Sequence, residues 1–111
     1  MTVLAAVVAL IASGHGHHAD GCNHAYCQRR REVVAPYRAR LDRIAWCETR
    51  RRWHLASGNG YYGGLQFDLA TWQSVGGHRY PHEQNELNQK YRAVLLIRRR
   101  GYGPWPLCGR S

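Results

Sequence analysis

Seven carboxylates are available for acid–base chemistry in this chain: Asp20, Glu32, Asp42, Glu48, Asp68, Glu83 and Glu86. Pattern singles out Glu48. Counted back from it, Ala45, Ile44, Leu41 and Tyr37 stand three, four, seven and eleven residues away, the spacing of one helical face. Glu48 therefore prolongs an apolar stripe that must face a core. Partial loss of water there disfavours the charged form, so its pKa should rise toward the range a general acid needs near neutral pH. The plainer reading is a last-turn glutamate that rotates into solvent or pairs with the neighbouring arginines. Asp68 is the other acid close to this stretch, and it precedes a short helix, Leu69 to Val75, as an N-cap would.

The elements that position these residues follow from turn chemistry. Pro36 opens a helix that carries the stripe, after a basic helical run from Arg29 to Val34. Ser57-Gly58-Asn59-Gly60 ends the first helical region, and Tyr61 to Phe67 reads as a short extended or hairpin segment. Its glycines admit a second backbone or an extended ligand at close range. Tyr61, Tyr62 and Trp53 flank the turn and are candidates for stacking on sugar faces, with Asn59 and Gln66 as hydrogen-bonding partners. Trp46, Trp72 and Trp105 read as core. A second long helix spans Glu83 to Arg100, with Leu87, Tyr91, Val94 and Leu95 on one face, and Gly101 closes it.

Cys47-Glu48, Trp53, the run G-N-G-Y-Y-G-G-L-Q-F at 58 to 67, Thr71-Trp72 and W-P-x-C at 105 to 108 together resemble the catalytic domain of resuscitation-promoting factors. These are small transglycosylase-like muralytic domains of actinobacteria. The resemblance covers residues 37 to 108. It implies an α+β, mostly helical, reduced lysozyme-like fold with a short β-hairpin region. It also implies Glu48 as catalytic acid, a Cys47–Cys108 disulfide, Thr71 in substrate binding and Gln66 lining the sugar groove. With Glu48 as the one acid in the motif region apart from the capping Asp68, the consistent reaction is lytic transglycosylation of the bond between N-acetylmuramic acid and N-acetylglucosamine. A lysozyme-like hydrolase with Asp68 as second carboxylate is the nearer alternative. A non-catalytic peptidoglycan-binding module that keeps the groove is the other.

One departure bears on that choice. Where the family commonly has Ser-Gly-Gly-Asn, this chain has Thr49-Arg50-Arg51-Arg52. Arginine in place of glycine makes a positive φ costly, and guanidinium groups beside Glu48 would lower its pKa. Alternatively, the arginines hold peptide-stem carboxylates or wall phosphates.

Composition agrees with an envelope protein. The 111 residues allow one small domain, a size at which a covalent staple helps. A Cys47–Cys108 bridge would stabilise by about 4 kcal/mol in the chain-entropy model. Sixteen Lys plus Arg against seven Asp plus Glu give a formal charge of +9, which favours a polyanionic partner. Peptidoglycan strands and anionic wall polymers are the expected partners of a monomer. No nucleic-acid motif accompanies the charge. Residues 3 to 12 form an apolar run too short to span a bilayer and of signal-peptide length, although no lysine or arginine precedes it. The expected organisation is a signal peptide over 1–14, a flexible His-, Cys- and Arg-rich arm over 15–35, the catalytic domain over 36–108 and a tail over 109–111. The expected location is outside the cell, at the wall of an actinobacterium, or the gene is phage-borne. His15, His17, His18, Cys22, His24 and Cys27 match no closed metal-site spacing. The arm reads as a solvated linker with a small Cys22–Cys27 disulfide loop, and neither metal nor cofactor is expected.

Overall fold

The computed structural model describes residues 24–110. The described residues form four α-helices, α1 (Ala25–Val34), α2 (Arg38–Thr49), α3 (Leu69–Ser74) and α4 (Glu86–Arg100), with single 3₁₀ turns at Ala35–Tyr37, Pro81–Glu83 and Cys108–Arg110. Pro36 sits in the first of these turns, where the backbone N–H that proline lacks would have no partner. It separates α1 from α2.

Helix α2 forms for the reason its periodicity gives. Leu41, Ile44 and Ala45 are buried, and Thr49 extends the buried side by one residue. The helix stops because Arg50 and Arg51 both take left-handed backbone, at φ 58° and 61°. In that turn the Arg50 and Arg51 N–H groups reach back to the carbonyl oxygens of Trp46 and Ala45 at 2.9 and 3.0 Å, which satisfies helix-end acceptors.

The core is assembled around α4. Its N-cap is Asn85, whose side chain accepts the Asn88 N–H at 2.8 Å. It therefore begins three residues later than Glu83, which lies in the preceding 3₁₀ turn. At the far end the Gly101 N–H bonds the Ile97 carbonyl at 2.7 Å, and Gly101 has the positive φ that favours glycine. The helix buries Leu87, Ala93, Val94, Leu96 and Ile97, together with the polar Gln89 and Lys90. Tyr91 and Leu95, expected on the core face, are only partly covered, and Arg98 is exposed. The buried surface is wider than one stripe because several elements converge on it, α1 among them.

Trp72 and Trp105 are core residues, each in edge contact with Phe67 at ring distances of 5.1 and 6.3 Å. The tail folds back as expected: Cys47 and Cys108 are joined, with Cα atoms 5.6 Å apart, and the Trp105 indole N–H donates to the Leu65 carbonyl at 2.8 Å. Arg40 clamps the same tail from α2. It donates to Gly109 O at 2.7 Å and lies 3.5 Å from the Tyr102 ring centroid.

The fold is the mostly helical, disulfide-stapled one expected, with less β structure than the hairpin reading implied. Two isolated antiparallel bridges, Ala56 with Tyr62 and Tyr62 with Phe67, are the whole of it among the described residues. Four turn residues between Tyr62 and Phe67 leave no room for a longer ladder. The arm expected over 15–35 also differs in its second half. Residues 25–34 are helical, and Cys27 and Val34 are buried in the common core. Cys27 is disulfide-bonded. The proposed leader, the first part of the arm and Cys22 lie outside the described residues, as does Ser111 at the end of the tail. No described helix is long and apolar enough to cross a membrane.

Candidate active site

Glu48 occupies the last turn of α2, between the disulfide at Cys47 and the buried Thr49. It stands half-buried at the open end of the Leu41–Ile44–Ala45 stripe. Loss of water around the carboxylate raises its pKa above the ordinary value, with burial as the cause. The arginines expected to lower it do not. Arg50 stacks near the Trp46 ring, 5.0 Å from its centroid, and Arg52 turns back to donate from Nε to Thr49 O at 2.8 Å. Arg51 lines a cleft of about 490 Å³ with Asp42, Arg43, Trp46 and Cys47, on the outer side of α2. Glu48 makes no ion pair with any described residue.

Thr49 links this helix end to the glycine-rich turn. Its hydroxyl, 2% exposed with the rest of the residue, is shared between the carbonyl oxygens of Ala45 and Gly64 at 3.2 and 3.0 Å, and it accepts the Arg52 N–H at 3.1 Å. Gly63 and Gly64 have reasons to be glycine that come from inside the protein. A Cβ on Gly63 would lie 2.4 Å from the Gln89 Oε1, and one on Gly64 would lie 2.4 Å from the Trp53 ring. The close approach is made by a side-chain amide and an indole.

Gln89 is the residue that pattern reading passed over. It is fully buried on α4, accepts the Gly64 N–H at 3.0 Å, and donates to Trp53 O and Gln84 O at 2.8 and 2.9 Å. Beside it, Lys90 Nζ stands 2.6 Å from Asp42 Oδ1, as an ion pair rather than a well-aligned hydrogen bond, and 2.7 Å from Glu86 Oε2. Lys90 also lies 5.3 Å from the Trp53 ring centroid. Trp53 is thus packed between Gly64 and Lys90, so much of its surface is already occupied.

The remaining predicted site residues follow the turn. Gln66 has a left-handed backbone, φ 54°, and its amide donates to Gly63 O at 3.1 Å. Tyr62 pairs with Phe67 through backbone bonds of 2.8 and 3.0 Å, and its ring stacks on His82 and leans on Tyr80. Asn59 caps its own turn, accepting the Tyr61 N–H at 3.0 Å, while the Tyr61 ring is exposed. Asp68 caps α3 as expected: one oxygen takes the Thr71 N–H at 2.7 Å and the other the Thr71 hydroxyl at 3.0 Å. Through Thr49–Gly64 and Tyr62–Phe67 the structure connects the end of α2, the turn and the start of α3 into one frame. Asn59 and Tyr61 stand on the outer loop of that frame.

Trp46 corrects the core reading. It is 50% exposed because its place on α2 lies well off the direction of Leu41, Ile44 and Ala45. No cluster of metal-ligating side chains occurs among the described residues.

The sequence profile of a transglycosylase-like domain matches residues 35–108. The chain is 48% identical over 70 residues to resuscitation-promoting factor Rpf of Micrococcus luteus, covering 63% of this chain and 31% of that protein. It is 38% identical over 78 residues to resuscitation-promoting factor RpfE of Mycobacterium tuberculosis, covering 70% and 45%. With RpfB of Mycolicibacterium smegmatis the figures are 40% over 70 residues, 60% and 19%. The matched stretch is less than half the length of each of these relatives.

Proposed function

The chain belongs to the transglycosylase-like domain family, and from that premise we infer that it cleaves peptidoglycan glycan strands by lytic transglycosylation, with Glu48 as the single acid and base. The observation that carries this reading is the half-buried carboxylate whose pKa is raised by desolvation, at the position that the family resemblance assigns to the catalytic glutamate. A protonated Glu48 gives its proton to the oxygen bridging N-acetylmuramic acid and N-acetylglucosamine, and the bond from that oxygen to the muramic anomeric carbon breaks. The muramic acid's own primary hydroxyl then attacks that carbon, and its proton passes to the Glu48 carboxylate. The product ends are 1,6-anhydro sugars, and the enzyme returns to its starting protonation state.

Asp68 is a poor second carboxylate in this scheme, because both of its oxygens are engaged by Thr71. Gln66 and Tyr61 are the side chains best placed to meet a glycan, since they ride on the turn tied to α2 through Thr49. Thr71 joins them through its hydroxyl oxygen, which can still accept while its proton is held by Asp68. Trp53 contributes as the packing that holds the turn. The protein works outside the cell at the wall, and its positive charge suits an anionic polymer there.

Glu48→Gln removes the transferable proton while keeping shape, and should lower the rate of peptidoglycan cleavage by ~10²- to 10⁴-fold. Asp68→Asn should keep most activity, since asparagine caps a helix about as well as aspartate. Turbidity loss and mass spectrometry of the products measure both. Reducing ends from the wild type, with Asp68→Asn inert but folded, would establish the two-carboxylate hydrolase instead. An inert wild type that still binds sacculi would make the domain a binding module.

A further inference from the structure

A second charged site lies between α1 and α4. There a cavity of about 140 Å³ is lined by Tyr26, Arg30, Trp72, His78, Asn88 and Arg92, among others. Its two arginines come from different helices and are held in place before any ligand arrives. Arg30 Nη1 donates to Asn88 Oδ1 at 2.8 Å, and the guanidinium carbon lies 4.6 Å from the Tyr26 ring centroid and 4.4 Å from that of Tyr91. Arg92 Nη1 donates to Val75 O at 2.8 Å, and its guanidinium lies 5.3 Å from the same Tyr91 ring. Gly76 makes room for it, since a Cβ there would fall 2.7 Å from Arg92 Nη1. These contacts use one nitrogen of each fork, which leaves the other N–H groups for a ligand.

The charge of the pair is not neutralised by any described carboxylate. Asp42 and Glu86 are taken by Lys90, Glu83 by Arg79, and Asp68 by the cap of α3, while Glu32 and Glu48, the other two described carboxylates, form no ion pair with Arg30 or Arg92. Burial, and then the nearby charge of Arg30, hold Arg92 below the ordinary arginine value, so the two cations bear on one another across the cavity. Two like charges held together with no internal counter-ion favour an anion between them.

Size and geometry narrow the ligand. Cavities for drug-sized molecules run from about 300 Å³ upward, so this one admits a single small anionic group rather than a sugar ring. A planar carboxylate matches one guanidinium fork in its own plane and has only in-plane lone pairs left for a second, whereas a tetrahedral oxyanion directs separate oxygens at two forks arriving from different helices and fits this pair better. We propose that Arg30 and Arg92 form a binding site for a phosphate group, either free or as the phosphodiester of an anionic wall polymer. The site is separate from Glu48 and does not depend on the muralytic reading. Its Arg30 half is supplied by α1, which precedes the residues matched by the family profile.

The test is calorimetric titration of the full chain with inorganic phosphate, and separately with poly(glycerol phosphate), against sodium chloride at equal ionic strength. Arg30→Gln should weaken phosphate binding roughly tenfold or more, the loss expected for a charge-assisted hydrogen-bonded contact. Arg29→Gln removes the same charge from the exposed side of α1 and should change it little. Arg92→Lys keeps the charge and a donor for Val75 O but loses the fork, and should also weaken binding, which keeps the test open if Arg30→Gln folds poorly. Binding of the polymer and of inorganic phosphate, both sensitive to Arg30, identifies the wall phosphodiester as the source. Binding of inorganic phosphate alone identifies the free ion. Equal losses in Arg30→Gln and Arg29→Gln, or no heat beyond that of chloride, would overturn the proposal. Glu48→Gln should bind phosphate as the wild type does, so an inert enzyme and an empty phosphate site are separate outcomes.

Discussion

Replacing Gln89 by methionine tests whether the candidate site is held by hydrogen bonds or only by packing. The two side chains are similar in length and shape, and methionine is the more apolar. At a fully buried position, a hydrophobic account therefore predicts an unchanged or more stable protein. The hydrogen bonds predict the opposite. Gln89 makes three of them, to Gly64 N–H, Trp53 O and Gln84 O. A net value of roughly 1 kcal/mol for each, with a further ~1–3 kcal/mol for stranding the buried Gly64 N–H, outweighs a gain of ~1 kcal/mol from the apolar side chain. The expected loss is about 3–5 kcal/mol, which in a domain of this size lowers Tm by on the order of 10–30 °C. Urea unfolding followed by tryptophan fluorescence measures the free energy, and calorimetry the midpoint. A variant as stable as the wild type, with an unchanged m-value, would show that the turn is held by packing and that Gln89 is dispensable.

Two further outcomes follow from the end of α2. Arg51→Gly should stabilise by ~0.5–1 kcal/mol, because relief of about 1–2 kcal/mol of left-handed backbone strain exceeds the extra freedom that glycine gives the unfolded chain; a lower denaturation midpoint for the glycine variant than for Arg51→Ala would refute it. The raised pKa of Glu48 means that the folded protein binds its proton more tightly than the unfolded chain, so stability attached to this group is present below the ordinary value of 4.5 and is lost as pH rises through the folded pKa. Glu48→Gln should therefore unfold at the same temperature as the wild type at pH 4 and at a higher one at pH 7. Equal midpoints at both pH values would mean that the carboxylate is not desolvated.

How much of this was legible in the sequence depends on whether a residue's environment is made by its own element or by another. The α2 stripe, the Asp68 cap and the Gly101 stop are local, and periodicity and capping chemistry placed them within a residue or two. The outward place of Trp46 is local too, since it follows from 3.6 residues per turn; the general tendency of tryptophan to be buried concealed it. Gln89 and Lys90 are different. On a helix read alone, polar residues mark the solvated side, and only the arrival of the 53–64 segment and of Asp42 makes their positions interior. The trace they leave is indirect: a Gly63-Gly64 pair has to accommodate something, and besides the backbone or extended ligand that the sequence suggests, the Gln89 amide and the Trp53 ring make that close approach.

The first two arginines of the 50 to 52 run take the left-handed backbone that favours glycine, the residue the family resemblance leads one to expect there. Glycine suits two successive left-handed positions because it has no Cβ, and Arg50 and Arg51 nonetheless take such backbone, with φ of 58° and 61°. The strain persists because the turn is fixed from both sides. Behind it are the Cys47–Cys108 bridge and the N–H bonds to Ala45 and Trp46; ahead of it is Thr49, tied to Gly64 and to Arg52. A left-handed Cα also projects its side chain differently from a helical one, and here Arg50 goes to the Trp46 ring while Arg51 goes to the outer cleft. The backbone geometry that made arginine look incompatible with the site is thus what carries its charge away from Glu48. Desolvation is left to set the proton affinity of that carboxylate.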